Sequence, residues 1–383
     1  EALRRLSQPI AAGDLPRTLE PTPRLLAALG DPQARVPALV VAGSVGKGSA
    51  CQGLAALLAA GGLRVGLYTS PHLHSFRERF AILEPHESPT WIAQAAFVEL
   101  TGTLFAALDA LSASFEHVYS TFEQATALGL LWFARRQVDL AVLEVGLGGR
   151  FDAVNAAPHE LALITPIESE HQAMLGGSLE SVAWHKAGVI PPNGTALTVP
   201  QAEVVMTALQ AEAAAQSAQL VEVADAEALP IAAYDQLARR FPLTVPAPTM
   251  TISPLPGRLE VVEVGGKTII IDGGHTPSAA RRLWGAIKAH GAAEVCLVIG
   301  MLRDKAAGDF LRVFDQPSVR VILTTAPADR ALTAAALAAQ ADFQHTQLEQ
   351  IDSLEAALRR AFESPVDVIA ISGSLRMAAA ARE

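Results

Sequence analysis

The amino-acid sequence predicts an α/β protein with largely parallel sheets. Short apolar runs rich in β-branched residues alternate with longer Ala- and Leu-rich segments of helical spacing. That alternation is typical of parallel strands covered on both faces by helices. The chain has 383 residues, more than one hydrophobic core of ordinary size can organise. We therefore expect two or three domains.

The individual elements follow from the same alternation. Buried strands are predicted at residues 38–42, 138–145, 161–167, 268–271, 295–299, 319–323 and 368–371. Helices are predicted at residues 49–60, 122–135, 277–290 and 354–362. The segment 202–240 is rich in Ala, Glu and Gln and gives no chemical signal. Alternation of strand and helix indicates α/β layers.

A proline-rich stretch divides the chain. Residues 241–256 include Pro242, Pro246, Pro248, Pro254 and Pro256. Prolines at this density do not sustain a helix or a central strand. We interpret the stretch as a linker between two domains, residues 1–250 and residues 251–383.

Net charge, cysteine content and the length of apolar runs indicate which partners and which cellular compartment to expect. The net charge of −10 and the pI of about 5.5 argue against broad attraction to nucleic acid or to an anionic membrane. The only cysteines are Cys51 and Cys296, which fits a reducing compartment and excludes a cysteine-rich metal site. No uninterrupted apolar run reaches the roughly 18 residues of a membrane span, and no basic-plus-apolar leader stands at Glu1. We expect a cytoplasmic, monomeric protein.

A glycine-rich loop, Gly43-Ser44-Val45-Gly46-Lys47-Gly48-Ser49, lies between the first predicted strand and a helix. Glycines let successive N–H groups turn towards an anion, and a helix N-terminus adds free N–H groups. Lys47 supplies a mobile charge, and Ser49 a hydroxyl for a phosphate oxygen or Mg²⁺. The strict P-loop has four residues between its first Gly and its Gly-Lys pair. Here only two residues separate Gly43 from Gly46. A structural turn is therefore the alternative, although the strand–loop–helix context favours phosphate binding.

The loop resembles the G-T-N-G-K-G-S loop of the folylpolyglutamate and dihydrofolate synthase family, within the Mur-ligase superfamily. Further segments resemble motifs of that family in the same order. Before the linker they are Y-T-S-P-H-L at 68–73, V-L-E-V-G-L-G-G-R at 142–150, D-A-x-N at 152–155, H-x-x-x-L-G at 171–176 and K-A-G at 186–188. Beyond it they are P-G-R-L-E at 256–260, D-G-x-H at 272–275, G-M-L with D-K at 300–305, and S-G-S-L at 372–375.

This resemblance implies a fold and a chemistry. The fold would be an N-terminal P-loop-type ATPase domain with a mostly parallel sheet, followed by a smaller C-terminal Rossmann-like domain. The reaction would be ATP-dependent addition of L-glutamate to a folate-like acid through an acyl phosphate. ATP and Mg²⁺ would be the cofactors.

The resemblance also assigns roles to matching positions. Phosphate contacts are expected from the loop residues Gly43, Ser44, Gly46, Lys47, Gly48 and Ser49. Magnesium ligands are expected at Ser70, Glu144 and His171. Nucleotide contacts are expected from Arg258 and Asp272, and contacts with the incoming amino acid from His275 and Ser374. Lys47, Lys186 and His275 form the expected catalytic set, and the lysine that matches Lys186 is usually carbamylated.

Four of these positions have simpler alternatives. Glu144 could cap a loop at the end of its strand, and His171 could be an ordinary surface histidine. Lys186 could be a solvated helix lysine. Ser374 could be a helix N-cap, since Ser is favoured there.

The chain also departs from the family pattern. Val45 replaces the loop Asn, Glu170 replaces an Asp, and Thr276 replaces the Asn that ends the D-G-A-H-N motif. The H-Q-x-x-N-A segment that helps to hold adenine is absent between Lys186 and Arg258. Two alternatives to folate ligation therefore stay open: a Mur-family ligase with a different substrate, and a non-catalytic paralogue with an impaired ATP site.

Overall fold

The structure is a computed structural model that describes residues 2–6, 18–169, 171–172, 174–244 and 256–383. The chain divides into two compact units, Glu1–Ser253 and Pro254–Glu383, here called unit 1 and unit 2. Of the stretch interpreted as a linker, residues 245–255 lie outside the described residues, as does Glu170.

Unit 1 is built on an eight-stranded sheet of order β4-β3-β2-β5-β1-β6-β7-β8. Its strands are β1 Ala38–Ala42, β2 Val65–Tyr68, β3 Phe80–Leu83, β4 Thr90–Trp91, β5 Leu140–Glu144, β6 His159–Ile164, β7 Thr195–Thr198 and β8 Gln219–Glu222. Neighbouring strands are parallel except at the β2–β3 and β3–β4 pairs.

Helices cover both faces of this sheet. They are α1 Ala2–Leu6, α2 Pro21–Ala28, α3 Lys47–Ala60, α4 Gln94–Ser112, α5 Thr121–Arg135, α6 Leu179–Ala187, α7 Glu203–Ala215 and α8 Ala228–Leu237. Because alternate strand residues face opposite sides, Val40 packs into one apolar core and Val41 into the other. A central strand in this position must be apolar on both faces.

Two helices of unit 1 have further features. Within the described part of the chain, α4 alone has the length and composition to cross a membrane. Its Phe97, Leu100 and Leu104 pack into the unit 1 core, so one face of α4 belongs to that core. At the C-terminal end of α3, the carbonyl of Gly61 accepts hydrogen bonds from both the N–H and the hydroxyl of Thr244.

Unit 2 contains a six-stranded sheet of order β13-β12-β11-β14-β10-β9. The strands are β9 Glu260–Val264, β10 Lys267–Ile271, β11 Val295–Ile299, β12 Val319–Leu323, β13 Gln347–Gln350 and β14 Val368–Ser372. The helices are α9 Pro277–Ala289, α10 Ala307–Arg312, α11 Ala334–Ala338, α12 Leu354–Phe362 and α13 Leu375–Ala380. Only the β9–β10 pair is antiparallel.

The predicted α/β class with mostly parallel sheets is confirmed, but several bounds are corrected. The strand predicted at 138–145 is Leu140–Glu144, and the one predicted at 161–167 is His159–Ile164. The helix predicted from residue 49 begins at Lys47, so Lys47 and Gly48 belong to its first turn. The segment 202–240, which carried no signal, folds as α7, β8 and α8 and completes the sheet.

Candidate active site

The parallel strands β2, β5, β1 and β6 are neighbours, so their carboxyl ends meet at one edge of the unit 1 sheet. The direction in which the chain builds the sheet reverses at β1: strands β2 to β5 lie on one side of β1, and β6 to β8 lie on the other. Open α/β sheets bind their ligands at such a reversal. The predicted phosphate loop follows β1, Ser70 follows β2, and Glu144 ends β5.

The phosphate loop depends on two glycines. Gly46 is the N-cap of α3 and has a left-handed φ of 85°. Gly43 has a φ of 140°, and a Cβ built there would lie 1.9 Å from Thr165 Oγ1. The first N–H groups of α3 have no acceptor within the helix, and together with the Lys47 side chain they form a cradle that fits a phosphate. Lys47 Nζ lies 3.4 Å from its acceptor, the carbonyl oxygen of Ser44.

The first half of the loop has different partners. The N–H groups of Ser44 and Val45 both donate to the carbonyl of Pro166, at 2.9 and 3.2 Å. The Ser44 hydroxyl donates to the carbonyl of Glu168 at 3.2 Å and accepts from the Glu168 N–H at 3.0 Å. These bonds tie the loop to the chain that follows β6. A phosphate contact from Ser44 stays a prediction.

Glu144 and Ser70 lie together at the sheet edge. Glu144 is buried, with 5% of its surface exposed, and its Oε2 accepts a 2.9 Å hydrogen bond from the Ser70 N–H. The loop beyond Ser70 is held by Glu78, whose carboxylate accepts from the N–H groups of Leu73, His74 and Ser75. Glu144 therefore stabilises a loop at the end of its strand, which was the simpler alternative for this residue. Its role in metal binding stays a prediction.

His171 is exposed and has a left-handed φ of 56°. Within the described ranges, no group of three or more His, Cys, Asp or Glu side chains is arranged to hold a metal ion. An Mg²⁺ ion at Glu144 would therefore need hydroxyl, phosphate and water oxygens to complete its shell, which suits a hard octahedral ion. The assignment of His171 as a ligand stays a prediction.

Lys186 is buried in α6, with 4% of its surface exposed. Its Nζ donates a 2.7 Å hydrogen bond to the carbonyl oxygen of Gly43. The alternative of a solvated helix lysine is therefore wrong. The structure brings this predicted catalytic residue to the phosphate loop, and its carbamylation stays a prediction.

Asp152 begins the D-A-x-N motif, and it organises the loop after β5. Its Oδ2 accepts from the N–H groups of Gly146 and Leu147, both at 3.0 Å, and its Oδ1 from that of Val154 at 3.1 Å. Burial raises the pKa of the Asp152 carboxyl to about 7, although these three N–H groups act to lower it. Its N-cap position was the signal that could have identified it.

In unit 2, Asp272 connects the loops that carry Arg258 and His275. Its Oδ2 accepts from Leu259 N–H at 3.0 Å, next to the half-buried Arg258, and its Oδ1 from Gly274 N–H at 2.8 Å. His275 follows this turn, and its Nδ1 lies 3.3 Å from the carbonyl oxygen of Gly273. The nucleotide contacts of Asp272 and Arg258 stay predictions.

Ser374 is a helix N-cap, as its alternative stated. Its buried hydroxyl accepts from Met377 N–H at 3.2 Å at the start of α13. Thr276, the residue that departs from the family motif, caps α9 in the same way by accepting from Ala279 N–H at 3.2 Å. Contacts of Ser374 and His275 with an amino acid stay predictions.

The fold and the phosphate loop define a Mur-type ligase, and residues 257–375 match the family described as "Mur ligase, glutamate ligase domain". A folylpolyglutamate synthase of Lacticaseibacillus casei is 32% identical over 94% of this chain and 92% of its own length. A dihydrofolate synthase/folylpolyglutamate synthase of Escherichia coli is 31% identical over 69% of this chain and 67% of its own length. The chain belongs to the folylpolyglutamate synthase family.

Solved structures agree over nearly the whole chain. A Mycobacterium tuberculosis folylpolyglutamate synthase complexed with ADP and AMPPCP has a TM-score of 0.84 and 28% identity, over 95% of this chain and 94% of its own. A bifunctional Yersinia pestis synthase complexed with AMPPNP and a Mn ion has a TM-score of 0.85 and 26% identity, over 99% and 96%. Neither alternative, another acid or a non-catalytic paralogue, is favoured by these relatives.

Proposed function

We propose that this chain is an ATP-dependent ligase that adds L-glutamate to a folate-type acid. The observation that carries the proposal is the convergence of the phosphate loop, Glu144 and the buried Lys186 on one sheet edge, in a chain of this family. Its structural neighbours were solved with ADP, with AMPPNP and a Mn ion, and with L-glutamate. ATP, a divalent ion, L-glutamate and a folate-like acid are the ligands proposed here.

The reaction needs activation because a carboxylate is a poor electrophile with a poor leaving group. Phosphoryl transfer from ATP makes the carboxylate oxygen a good leaving group, and the amine of glutamate then attacks the acyl phosphate. Little of this requires covalent chemistry from the protein, so its contribution is to position the reactants and to stabilise charge.

The residues of unit 1 fit that task. Lys47 and the first N–H groups of α3 hold the phosphates and offset their charge. Glu144 and the Ser70 hydroxyl supply hard oxygen ligands for Mg²⁺. Lys186 fixes the carbonyl of Gly43, and with it the direction of the loop.

Residues 1–250 would then act as the ATP-binding domain and residues 251–383 as the ligase domain. In the second, Arg258 and Asp272 would approach the nucleotide, and His275 and Ser374 the incoming glutamate. A monomeric, cytoplasmic enzyme without nucleic-acid or membrane partners is expected. Light scattering after size exclusion tests the oligomeric state.

The test is ADP release by the purified chain with Mg²⁺ and L-glutamate, in the presence of dihydropteroate or tetrahydrofolate. We expect the wild type to turn over. Lys47→Ala should lower the rate at least ~100-fold, the order of effect of removing one preorganised hydrogen-bond donor. A well-folded wild type that turns over neither dihydropteroate nor tetrahydrofolate would contradict the proposal. ADP release with other acids, and not with folates, would point to the different-substrate ligase.

A further inference from the structure

We propose that Ser44 is a positioning residue that locks the phosphate loop onto segment 165–168, and that it is not a ligand of the nucleotide. The inference rests on the proposed function in one respect: the loop Gly43–Ser49 is taken as the site of the ATP phosphates. It changes the role expected for Ser44 from the sequence.

The hydroxyl and the backbone N–H of Ser44 already have partners outside the loop. A hydroxyl has one hydrogen to donate and two lone pairs to accept with. The Ser44 hydroxyl uses the hydrogen on the carbonyl of Glu168, and accepts from the N–H of the same residue. Its backbone N–H donates to Pro166. Phosphate binding is thereby left to the N–H groups of residues 46–49 and to Lys47.

The partner segment is tied to the sheet at Thr165 and Ile167. Thr165 N–H donates to the carbonyl of Ala42 at 2.9 Å. Ile167 N–H donates to Gln201 Oε1 at 2.7 Å, and Gln201 Nε2 donates to Thr198 Oγ1 at 2.8 Å. Segment 165–168 is therefore a fixed support at its β6 end, and the Ser44 hydroxyl holds its other end.

The position of this contact gives it a consequence for the site. Glu168 is three residues before His171, the predicted metal ligand. The Ser44–Glu168 pair therefore sets the approach of that part of the chain to the phosphate loop. We expect loss of the hydroxyl to weaken the joint binding of ATP and Mg²⁺, while the cradle at residues 46–49 survives.

The experiment compares Ser44→Ala with Ser44→Thr, which keeps the hydroxyl, and with Ser44→Cys, whose slightly larger thiol is only a weak donor and acceptor. Ser114→Ala is the control, because that exposed hydroxyl donates only locally, to the carbonyl of Leu111. Amide hydrogen exchange is measured on the ligand-free proteins. We expect the Glu168 amide to exchange about tenfold faster in Ser44→Ala and Ser44→Cys, as after loss of one hydrogen bond, and wild-type exchange in Ser44→Thr and Ser114→Ala.

Calorimetry with ATP and Mg²⁺ supplies the second readout. We expect Ser44→Ala to bind about five- to tenfold more weakly, as after loss of one hydrogen bond, and Ser44→Thr to bind as wild type does. Unchanged Glu168 exchange in Ser44→Ala overturns the inference, whatever happens to ATP binding. Failure of the wild type to bind ATP overturns the proposed function instead, because the exchange comparison needs no ligand.

Discussion

The side-chain nitrogen of Lys186 and the carbonyl oxygen of Gly43 are joined by a 2.7 Å hydrogen bond across 143 positions of sequence. Both residues are buried. The bond connects α6 to the phosphate loop at the point where the loop leaves β1. It makes the orientation of the loop depend on a residue from a distant part of the chain.

Replacing Lys186 with Met keeps most of the apolar stem and removes the hydrogen-bond donor. We expect the free energy of unfolding to fall by about 1–3 kcal/mol, because the Gly43 carbonyl loses a buried donor. We expect ligase activity to fall at least ~100-fold. Urea unfolding and ADP release measure the two effects, with Lys288→Met as a control on an exposed lysine of α9. Wild-type activity in Lys186→Met would contradict the role assigned to this side chain.

Alanine substitutions at the two loop glycines should differ in severity. In Gly43→Ala the new methyl would meet Thr165 Oγ1 at 1.9 Å and the Thr165 backbone oxygen at 2.8 Å, so the loop must move. In Gly46→Ala nothing lies within 4 Å of the new methyl, so only the left-handed conformation costs energy, about 1–2 kcal/mol. We expect ATP binding to be lost in the first variant and reduced in the second. Equal affinities by calorimetry would show that the Gly43–Thr165 contact does not matter.

Glu144→Gln separates the loop contact of Glu144 from its charge. The amide oxygen can still accept from the Ser70 N–H, so we expect the fold and the melting temperature to be kept. A neutral oxygen is a weaker ligand for a hard cation, so the Mg²⁺ concentration that gives half-maximal activity should rise at least ~10-fold. Glu144→Ala is the companion variant, which loses both functions. An unchanged Mg²⁺ requirement in Glu144→Gln would remove Glu144 from the metal site.

Asp152 should make stability depend on pH. Its pKa is 3.8 without perturbation and about 7 in the folded chain, so the folded state binds more protons between these values. The contribution to stability is thus complete below the lower value and is lost as the pH rises through about 7. Asp152→Asn cannot titrate, so its free energy of unfolding should lack this part of the pH slope. Parallel slopes for the two proteins in urea unfolding would rule the titration out.

The sequence predicted much of the fold because the central strands are recognisable from their own residues, without knowledge of their packing partners. The run Val295–Ile299 is buried on both faces and apolar at every position, and its bounds were predicted correctly. The strand Val65–Tyr68 was missed, since it has only four residues and includes Gly66, which packs against Phe133. The packing partner that stabilises such a strand is remote in sequence.

The candidate site also has parts that the sequence predicts and parts that it does not. The phosphate loop was recognisable because its glycines, lysine and flanking elements are contiguous. The bonds from Lys186 to Gly43 and from Ser44 to Glu168 span 143 and 124 positions, and no local pattern encodes them. Gln201 carried no signal, because its role comes only from the position of Ile167 beside it.

The two hydrogen bonds from Thr244 to the carbonyl of Gly61 anchor the chain of unit 1 at the C-terminal end of α3. Helix α3 has 14 residues, which at about 1.5 Å per residue makes it roughly 21 Å long. The phosphate cradle lies at one end of this rod, and Thr244 is anchored at the other. The Thr244 anchor and the phosphate cradle therefore lie about one helix length apart, at opposite ends of α3.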